Sequence, residues 1–566
     1  MLIMKRIYSL LLILTLVGLS GCKKSFLEEN NKSGITADPF YTTATGMESL
    51  VNACYTPTRF WFGKEGGTSL TELGTDLFLK GGDCHHPQYA TYDPVNFNSQ
   101  DACLKLYWEQ FYAAVNNCNT AIARMDASPL SAELKKQRLG EVHFLRALYY
   151  WIIVETWGGV HLSTEESKGV VLTANRTPVE KFYDLIFSDL DIAIANLDGE
   201  LVPAGGRVTK PAAEGFKARM LLTRGKYTEA ATLAKKVISD YNFKLFDNYA
   251  SLWDMANSNG STNSEVIWFV NYTTDDLINQ DIPSVNGYTQ EAAAFLPEGG
   301  HQLHMNFTPR YDFHEGVDIN IADDIGFQRY AASKHLLSLY DETIDQRYNG
   351  TFKEVWYSNG GKTTKYTDMK VGDTAIYWSH KSLSAAYKQA RTTKFEILDI
   401  NDLYNADQSL KDNRNFIEMH KFNDPTRSGL FVWRSKRDAF VMRISEMYLI
   451  VAEAGIQPGG NLTEGLSYMN MLRTKRAVPG KETAMTVTAA NMNIDFILDE
   501  RARELVGEQM RWFDLKRTNK LIEYVKKYDP DGAANVQTYH MLRPIPQSQL
   551  DAVTNKDTFT QNPGYR

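Results

Sequence analysis

Residues 493–507 read Asn493-Ile-Asp-Phe-Ile-Leu-Asp-Glu-Arg-Ala-Arg-Glu-Leu-Val-Gly507, and the chain continues Glu508-Gln-Met-Arg-Trp-Phe-Asp-Leu-Lys-Arg517. Ile494, Ile497, Leu498, Leu505 and Val506 fall close to helical spacing, Asp499 can reach Arg503 one turn on, and Gly507 is placed to end the helix. A second helix is expected from about Arg511. Trp512, Phe513 and Leu515 would tie this helical pair to the core. Glu500, Arg501, Arg503, Arg511 and Asp514 form a dense ionic set. Structural pairing explains such a set better than catalysis, because ion networks that hold a fold imitate active sites.

The pattern Glu-Arg-x-Arg-Glu-Leu-x-Gly-Glu over 500–508, followed by Arg-Trp-Phe-Asp-Leu-Lys-Arg over 511–517, resembles the C-terminal signature of SusD/RagB-family lipoproteins, outer-membrane nutrient-binding proteins of Bacteroidetes. Phe144-Leu-Arg-Ala-Leu-Tyr-Tyr-Trp-Ile-Ile-Val-Glu-Thr-Trp-Gly-Gly159 resembles the same family. So do Gly299 to Phe307, Ser333 to Asp341, Phe352 to Tyr357 and the closing Leu542 to Leu550 with Gln561 to Tyr565.

At the other end, Lys5 and Arg6 precede an apolar run from Ile7 to Leu19 and then Leu19-Ser-Gly-Cys22. A charged start, a short apolar core and small residues before a cleavage point describe an export signal too short to span a bilayer. Leu-Ser-Gly-Cys resembles a bacterial lipobox, which implies that Cys22 becomes the first mature residue and carries the lipid. Acyl chains then anchor a soluble body to the outer membrane. No other stretch is long and apolar enough to span.

The chain has 566 residues, 43% hydrophobic and 23% charged, an ordinary globular composition. That length exceeds one ordinary core. Its formal charge of −7 becomes −9 once Lys5 and Arg6 leave with the signal, which argues against a nucleic-acid partner. Cys54, Cys84, Cys103 and Cys118 all lie in the N-terminal fifth; in an exported chain they form either two disulfides or buried free thiols. Cys84-His85-His86 lacks further ligands at metal-site spacing, so no metal is expected there. His301, His304 and His314 read as polar loop histidines. Calcium would suit the carboxylates of 318–324, but no proper loop motif is present, and no cofactor is expected.

Helical periodicity is clear on both sides of the chain centre. Leu104, Trp108, Phe111, Val115, Cys118, Ile122 and Met125 make one buried face, and a second helix follows Ser128-Pro129. Thr177-Pro178-Val179-Glu180 reads as a capping box with proline at the first helical position. Between Ala212 and Tyr241 the small residues Ala218, Ala230 and Ala234 match a tetratricopeptide-like pair, and Arg443 to Gly455 with Leu462 to Arg476 makes another. Between 243 and 440 the rhythm breaks into glycine, asparagine and aromatic residues, with helix expected again over 331–340. The expected organisation is a signal at 1–21, a helical N-terminal region at 22–242, a loop-rich insertion at 243–440 and a helical C-terminal region at 441–566. The fold class is mainly α: tetratricopeptide-like helical pairs carrying a large irregular subdomain.

No nucleophile elbow, phosphate loop, zinc-protease motif or dinucleotide fingerprint occurs. Aromatic residues make up 12% of the chain, and rings in loops offer flat apolar faces to sugars. The resemblance implies a ligand face built from the region before the long helix and from the insertion. It selects Trp61, Tyr89, Tyr92, Tyr288, Trp356 and Trp378 as ligand-binding candidates. The function it implies is a non-catalytic surface lipoprotein that binds oligosaccharide and delivers it to a SusC-like, TonB-dependent transporter. Peptide capture, as in the RagB branch, and surface glycoside hydrolysis are the alternatives.

Overall fold

The computed structural model of the protein describes residues 37–199, 204–273, 300–432 and 434–565. Cys22 and Tyr288 lie outside these residues. The helical scaffold runs through α1 (Ala44–Tyr55), α2 (Ala102–Arg124), α3 (Ala132–Trp157), α4 (Val179–Asn196), α5 (Lys210–Thr223), α6 (Tyr227–Asp240), α7 (Ile444–Gly455), α8 (Leu462–Lys475), α9 (Ile494–Leu505) and α10 (Arg511–Arg517). From α2 to α8 each helix packs on the next in this order, so α6 meets α7 across the whole insertion. Stacking of this kind buries a continuous core between neighbouring pairs.

Local sequence sets the helix ends. The Asp101 and Ser131 side chains accept backbone N–H bonds from Leu104 and Leu134 and so cap α2 and α3. Every residue of α3 from Gly140 to Trp157 is buried, as expected of a helix with apolar groups all round. Its charged members are paired: Arg146 with Asp189 at 2.7 Å and Glu155 with Lys516 at 2.8 Å. Gly455 and Gly465 let α7 and α8 approach closely, since a Cβ on Gly455 would lie 2.8 Å from the Gly465 Cα.

Three local expectations are corrected. Pro178 is extended (ψ 145°), so α4 begins after it, and no side chain caps its first turn. The Thr177 N–H bonds the Val160 carbonyl instead. Residues 330–332 form a strand, and the helix is shortened to Lys334–Ser338 because Tyr330–Ala332 pairs with the N-terminal region. Arg503 pairs with Glu500 at 2.7 Å rather than with Asp499. The described cysteines are free thiols.

Short sheets stitch the insertion to the helices. β1 (Phe78–Lys80) runs antiparallel to β3 (Tyr330–Ala332), with Phe78 opposite Ala332 and Lys80 opposite Tyr330. β2 (Val266–Val270) runs antiparallel to β7 (Ala439–Arg443) and joins the two ends of the insertion. Within it, β4 (Val355–Tyr357) pairs antiparallel with β5 (Thr374–Ser379), which pairs in parallel with β6 (Glu396–Asp399). One hydrophobic cluster runs through the N-terminal region, the insertion and the C-terminal region, with a smaller one among α7, α8 and α9.

The ionic set of the 493–517 stretch is buried at the junction of these parts. Glu504 meets Arg443 at 3.0 Å, Arg476 at 2.8 Å and Arg347 at 3.2 Å. Glu265 takes the same Arg443 and Arg476, each at 2.9 Å, and Glu508 joins Arg443 and Lys421, each at 2.7 Å. Glu500 binds Arg347 at 2.9 Å as well as Arg503. The network therefore links β2, the insertion, β7, α8 and α9. Among the described residues no helix is long and apolar enough to cross a membrane.

Candidate functional site

The aromatic candidates that the structure describes belong to the core. Trp61 packs edge-on against Tyr107 at 5.1 Å and Phe111 at 5.6 Å. The Tyr89 hydroxyl donates to Asp101 at 2.6 Å, and the Tyr92 hydroxyl to the Gly74 carbonyl at 2.6 Å. Trp356 and Trp378 meet edge to face at 4.9 Å on the inner side of the β4–β5–β6 sheet. All five rings are buried, so none has a free face for a sugar, and their selection as stacking platforms is corrected. Strand alternation turns Trp356 and Trp378 inward while Tyr357, the next residue after Trp356, is exposed.

A different ring stands free in the same region. Phe313 is 58% exposed, although Tyr311, two residues earlier, is fully buried with its hydroxyl on the Asp324 carbonyl at 2.5 Å. The 3₁₀ turn Tyr311–Phe313 separates them, one ring inward and one outward. The Arg310 guanidinium lies 3.7 Å from the Phe313 centroid and that of Arg414 lies 5.9 Å away. Both are held by carboxylates, Arg310 by Asp312 at 2.7 Å and Arg414 by Asp412 at 2.8 Å. The Arg310 N–H also donates to the Arg414 carbonyl at 3.0 Å, which joins the two loops.

Arg414 opens onto a cleft of about 560 Å³ lined by Leu79, Lys80, the 409–414 segment and Asp531. The Asp531 carboxylate accepts the Lys80 backbone N–H at 2.9 Å. Burial raises the Asp531 pKa, and the Lys80 backbone bond and charge oppose that rise. A Cβ on Gly82 would stand 2.5 Å from the Gln328 amide oxygen and 3.2 Å from the Arg414 Cγ, so glycine there admits the wall of the cleft. The cleft thus draws on the N-terminal region, the insertion and the segment after α10. Its lining is mostly polar, with a phenyl ledge beside it: a surface suited to hydroxyl-rich ligands that also present apolar CH faces.

His314 fixes the ledge. Its Nδ1 is 2.7 Å from Glu396 on β6 and its Nε2 is 3.0 Å from Asn415. Burial alone would lower the imidazole pKa, but the Glu396 carboxylate and the Asn415 bond raise it above the ordinary value. A raised folded-state pKa means that this link is fully present below about pH 6.5 and is lost as pH rises through the folded value. Binding to the ledge is therefore expected to weaken between mildly acidic and alkaline pH, and His314→Gln to flatten that profile. Titration calorimetry across this range checks both.

His301 and His304, grouped with His314 in the sequence, are instead buried, and burial drives their pKa values well below the ordinary histidine value. In the 318–324 loop Asp323 pairs with Lys353, and Asp324 with Arg427 at 2.8 Å. These carboxylates are already neutralised by side chains. Sequence reasoning missed Phe313, Arg310, Arg414, Lys80 and Asp531. The signal available was Arg310-Tyr-Asp-Phe313, where charged residues alternate with rings and two rings two apart take opposite sides.

Residues 264–565 match the SusD family, and residues 26–222 match a family described as starch-binding associating with outer membrane. SusD-like protein P38 of Formosa agariphila is 26% identical over 549 residues, covering 92% of each chain. Starch-binding protein SusD of Bacteroides thetaiotaomicron is 24% identical over 456 residues, covering 77% of this chain and 74% of that one. Among solved structures, a laminarin binding SusD-like protein superposes with a TM-score of 0.67 at 20% identity, covering 93% of this chain and 100% of the other. Surface glycan-binding protein A of Bacteroides thetaiotaomicron in complex with laminarihexaose gives 0.66 at 18% identity, covering 92% and 100%. These likenesses establish the shared fold, and the match over more than half of the sequence gives the family: this chain belongs to the SusD family.

Proposed function

We propose that this protein is an outer-membrane surface lipoprotein that captures a glycan in the Phe313 cleft and passes it to a SusC-like, TonB-dependent transporter. The observation that carries this reading is the exposed phenyl ledge of Phe313 beside a polar cleft of about 560 Å³. The names of the relatives support it: starch-binding for one, laminarin binding for another. Capture needs no covalent step. A sugar ring lays its CH face on Phe313, while Asp412, Asn413 and Lys80 take hydroxyls, and binding raises the local concentration of glycan at the transporter. Cys22 carries the anchor.

The test is calorimetric titration of the detergent-solubilised protein with polysaccharides and peptides, followed by product analysis. Glycan binding without products is the expected result; products would make the protein a hydrolase, and binding to peptides alone would move it to the RagB branch. Phe313→Ala is expected to weaken glycan binding roughly 10- to 30-fold, about 1.4–2 kcal/mol, with unchanged unfolding because the ring is largely outside the core. Cys22→Ala is expected to release the protein from the membrane fraction; continued membrane retention would remove the lipobox assignment.

A further inference from the structure

The charges around the cleft carry information about its ligand. Among the described residues, the Lys80 ammonium has neither an ion-pair nor a hydrogen-bond partner, although its backbone is fixed in β1 at the cleft wall. Of the neighbouring carboxylates, Asp412 pairs with Arg414 at 2.8 Å, and Asp531 accepts the Lys80 backbone N–H at 2.9 Å and meets the Lys80 ammonium only through longer-range attraction, without an ion pair. Lys411 donates to the Asn401 carbonyl, a neutral acceptor, and no carboxylate pairs with it among the described residues.

The rim beyond Phe313 has the same sign. Residues 361–394 contain seven Lys or Arg against two Asp, in a chain whose formal charge is −7. Lys381 and Lys388 are matched by Glu342, Asp399 and Asp402. Lys362, Lys365, Lys370 and Lys394 are exposed, and none of them has an ion pair among the described residues. This lobe is tied to the ledge by Glu315, two residues after Phe313, which accepts the Thr364 and Lys365 backbone N–H groups at 2.8 and 2.7 Å. Glu315 and Glu396 attract Lys365, while Lys362, Lys370 and Lys394 stand exposed without ion pairs among the described residues, and a neutral glycan gains nothing from such cations. A polymer with regularly spaced negative charges is attracted both by Lys80 in the cleft and by these lysines on the segment tied to the ledge.

We propose that the cleft takes an anionic polysaccharide, one whose sugars bear carboxylate or sulfate groups, with Lys80 as the counter-ion in the cleft and the 361–394 lobe as its electrostatic rim. The proposal rests on the glycan-capture reading of the same site and names the substrate class. Lys80 selects for charge, and Phe313 supplies stacking that is indifferent to it.

The experiment titrates the full-length protein in mild detergent with laminarin and starch as neutral probes, polygalacturonate and alginate as carboxylate probes, and carrageenan as a sulfate probe. The expected result is binding to a carboxylate or sulfate polymer that weakens at least about tenfold in Lys80→Met, is retained in Lys80→Arg, and falls with added salt. Which polymer binds separates carboxylate from sulfate. Binding to neutral polymers only would overturn this inference and leave glycan capture standing, whereas binding to no polysaccharide would remove both. Polyanion binding that survives Lys80→Met but is lost when Lys362, Lys365 and Lys370 become serine would place the polymer outside the cleft and overturn the assignment.

Discussion

Glu504→Gln is expected to lower the unfolding free energy by roughly 3–5 kcal/mol, the range for removing one partner of a buried ion pair. Glu504 is buried among Arg443, Arg476 and Arg347, and the glutamine keeps its shape while removing its charge. Three buried guanidiniums then share one carboxylate fewer, Arg443 keeping Glu265 and Glu508, Arg476 keeping Glu265 and Arg347 keeping Glu500. Burial by itself would raise the carboxyl pKa, but Arg476, Arg443 and Arg347 hold it well below the ordinary carboxylate range. A depressed folded-state pKa contributes stability that is present above the unfolded value of about 4.3 and lost as pH falls through the folded one. The variant is therefore expected to lose stability at neutral pH and to approach the parent under strong acid. Urea unfolding at several pH values measures both. Asp247→Asn, which breaks an exposed pair with Lys475, serves as the control and is expected to leave the midpoint in place. Equal unfolding curves for Glu504→Gln and the parent would show that the junction does not hold the parts together.

Trp378→Ala is expected to cost about 3–5 kcal/mol, the range for truncating a large buried aromatic residue to alanine. The ring is fully buried against Trp356 at 4.9 Å and His314 at 5.2 Å. Its indole N–H also donates to Glu396 at 3.3 Å, so the cavity would loosen the carboxylate that anchors His314 and, through it, the Phe313 ledge. Both unfolding and glycan binding should suffer, unfolding first. Weaker binding with an unchanged unfolding midpoint would instead return Trp378 to the ligand surface. Set beside Phe313→Ala, where binding falls and unfolding does not, the pair of variants separates a ring that supports the site from one that forms it.

The helical scaffold was legible because its signals are local. The stripe of α2 and the small residues of the α5–α6 pair recur at helical spacing, which alone decides which side chains share a face, and Gly507 marks the end of α9. Even the ionic residues of the 493–517 stretch were recognisable as structural. Their partners in β2, the insertion, β7 and α8 were not, because those are hundreds of residues away or on other elements. Arg503 illustrates the gap: two acidic residues, Asp499 and Glu500, lay within reach, and only packing chose Glu500.

The sequence by itself determined the class of fold, the order of the helical pairs and the family signature. It did not determine which rings face solvent. Trp356 and Tyr357 are adjacent in the same short strand, yet one is buried and the other open; Tyr311 and Phe313 divide in the same way across one turn. In irregular segments no period links position to face, so the exposure of each ring depends on what the rest of the chain lays against it. The tertiary structure alone therefore placed the cleft, by bringing Lys80, Phe313, Arg414 and Asp531 together from distant parts of the chain.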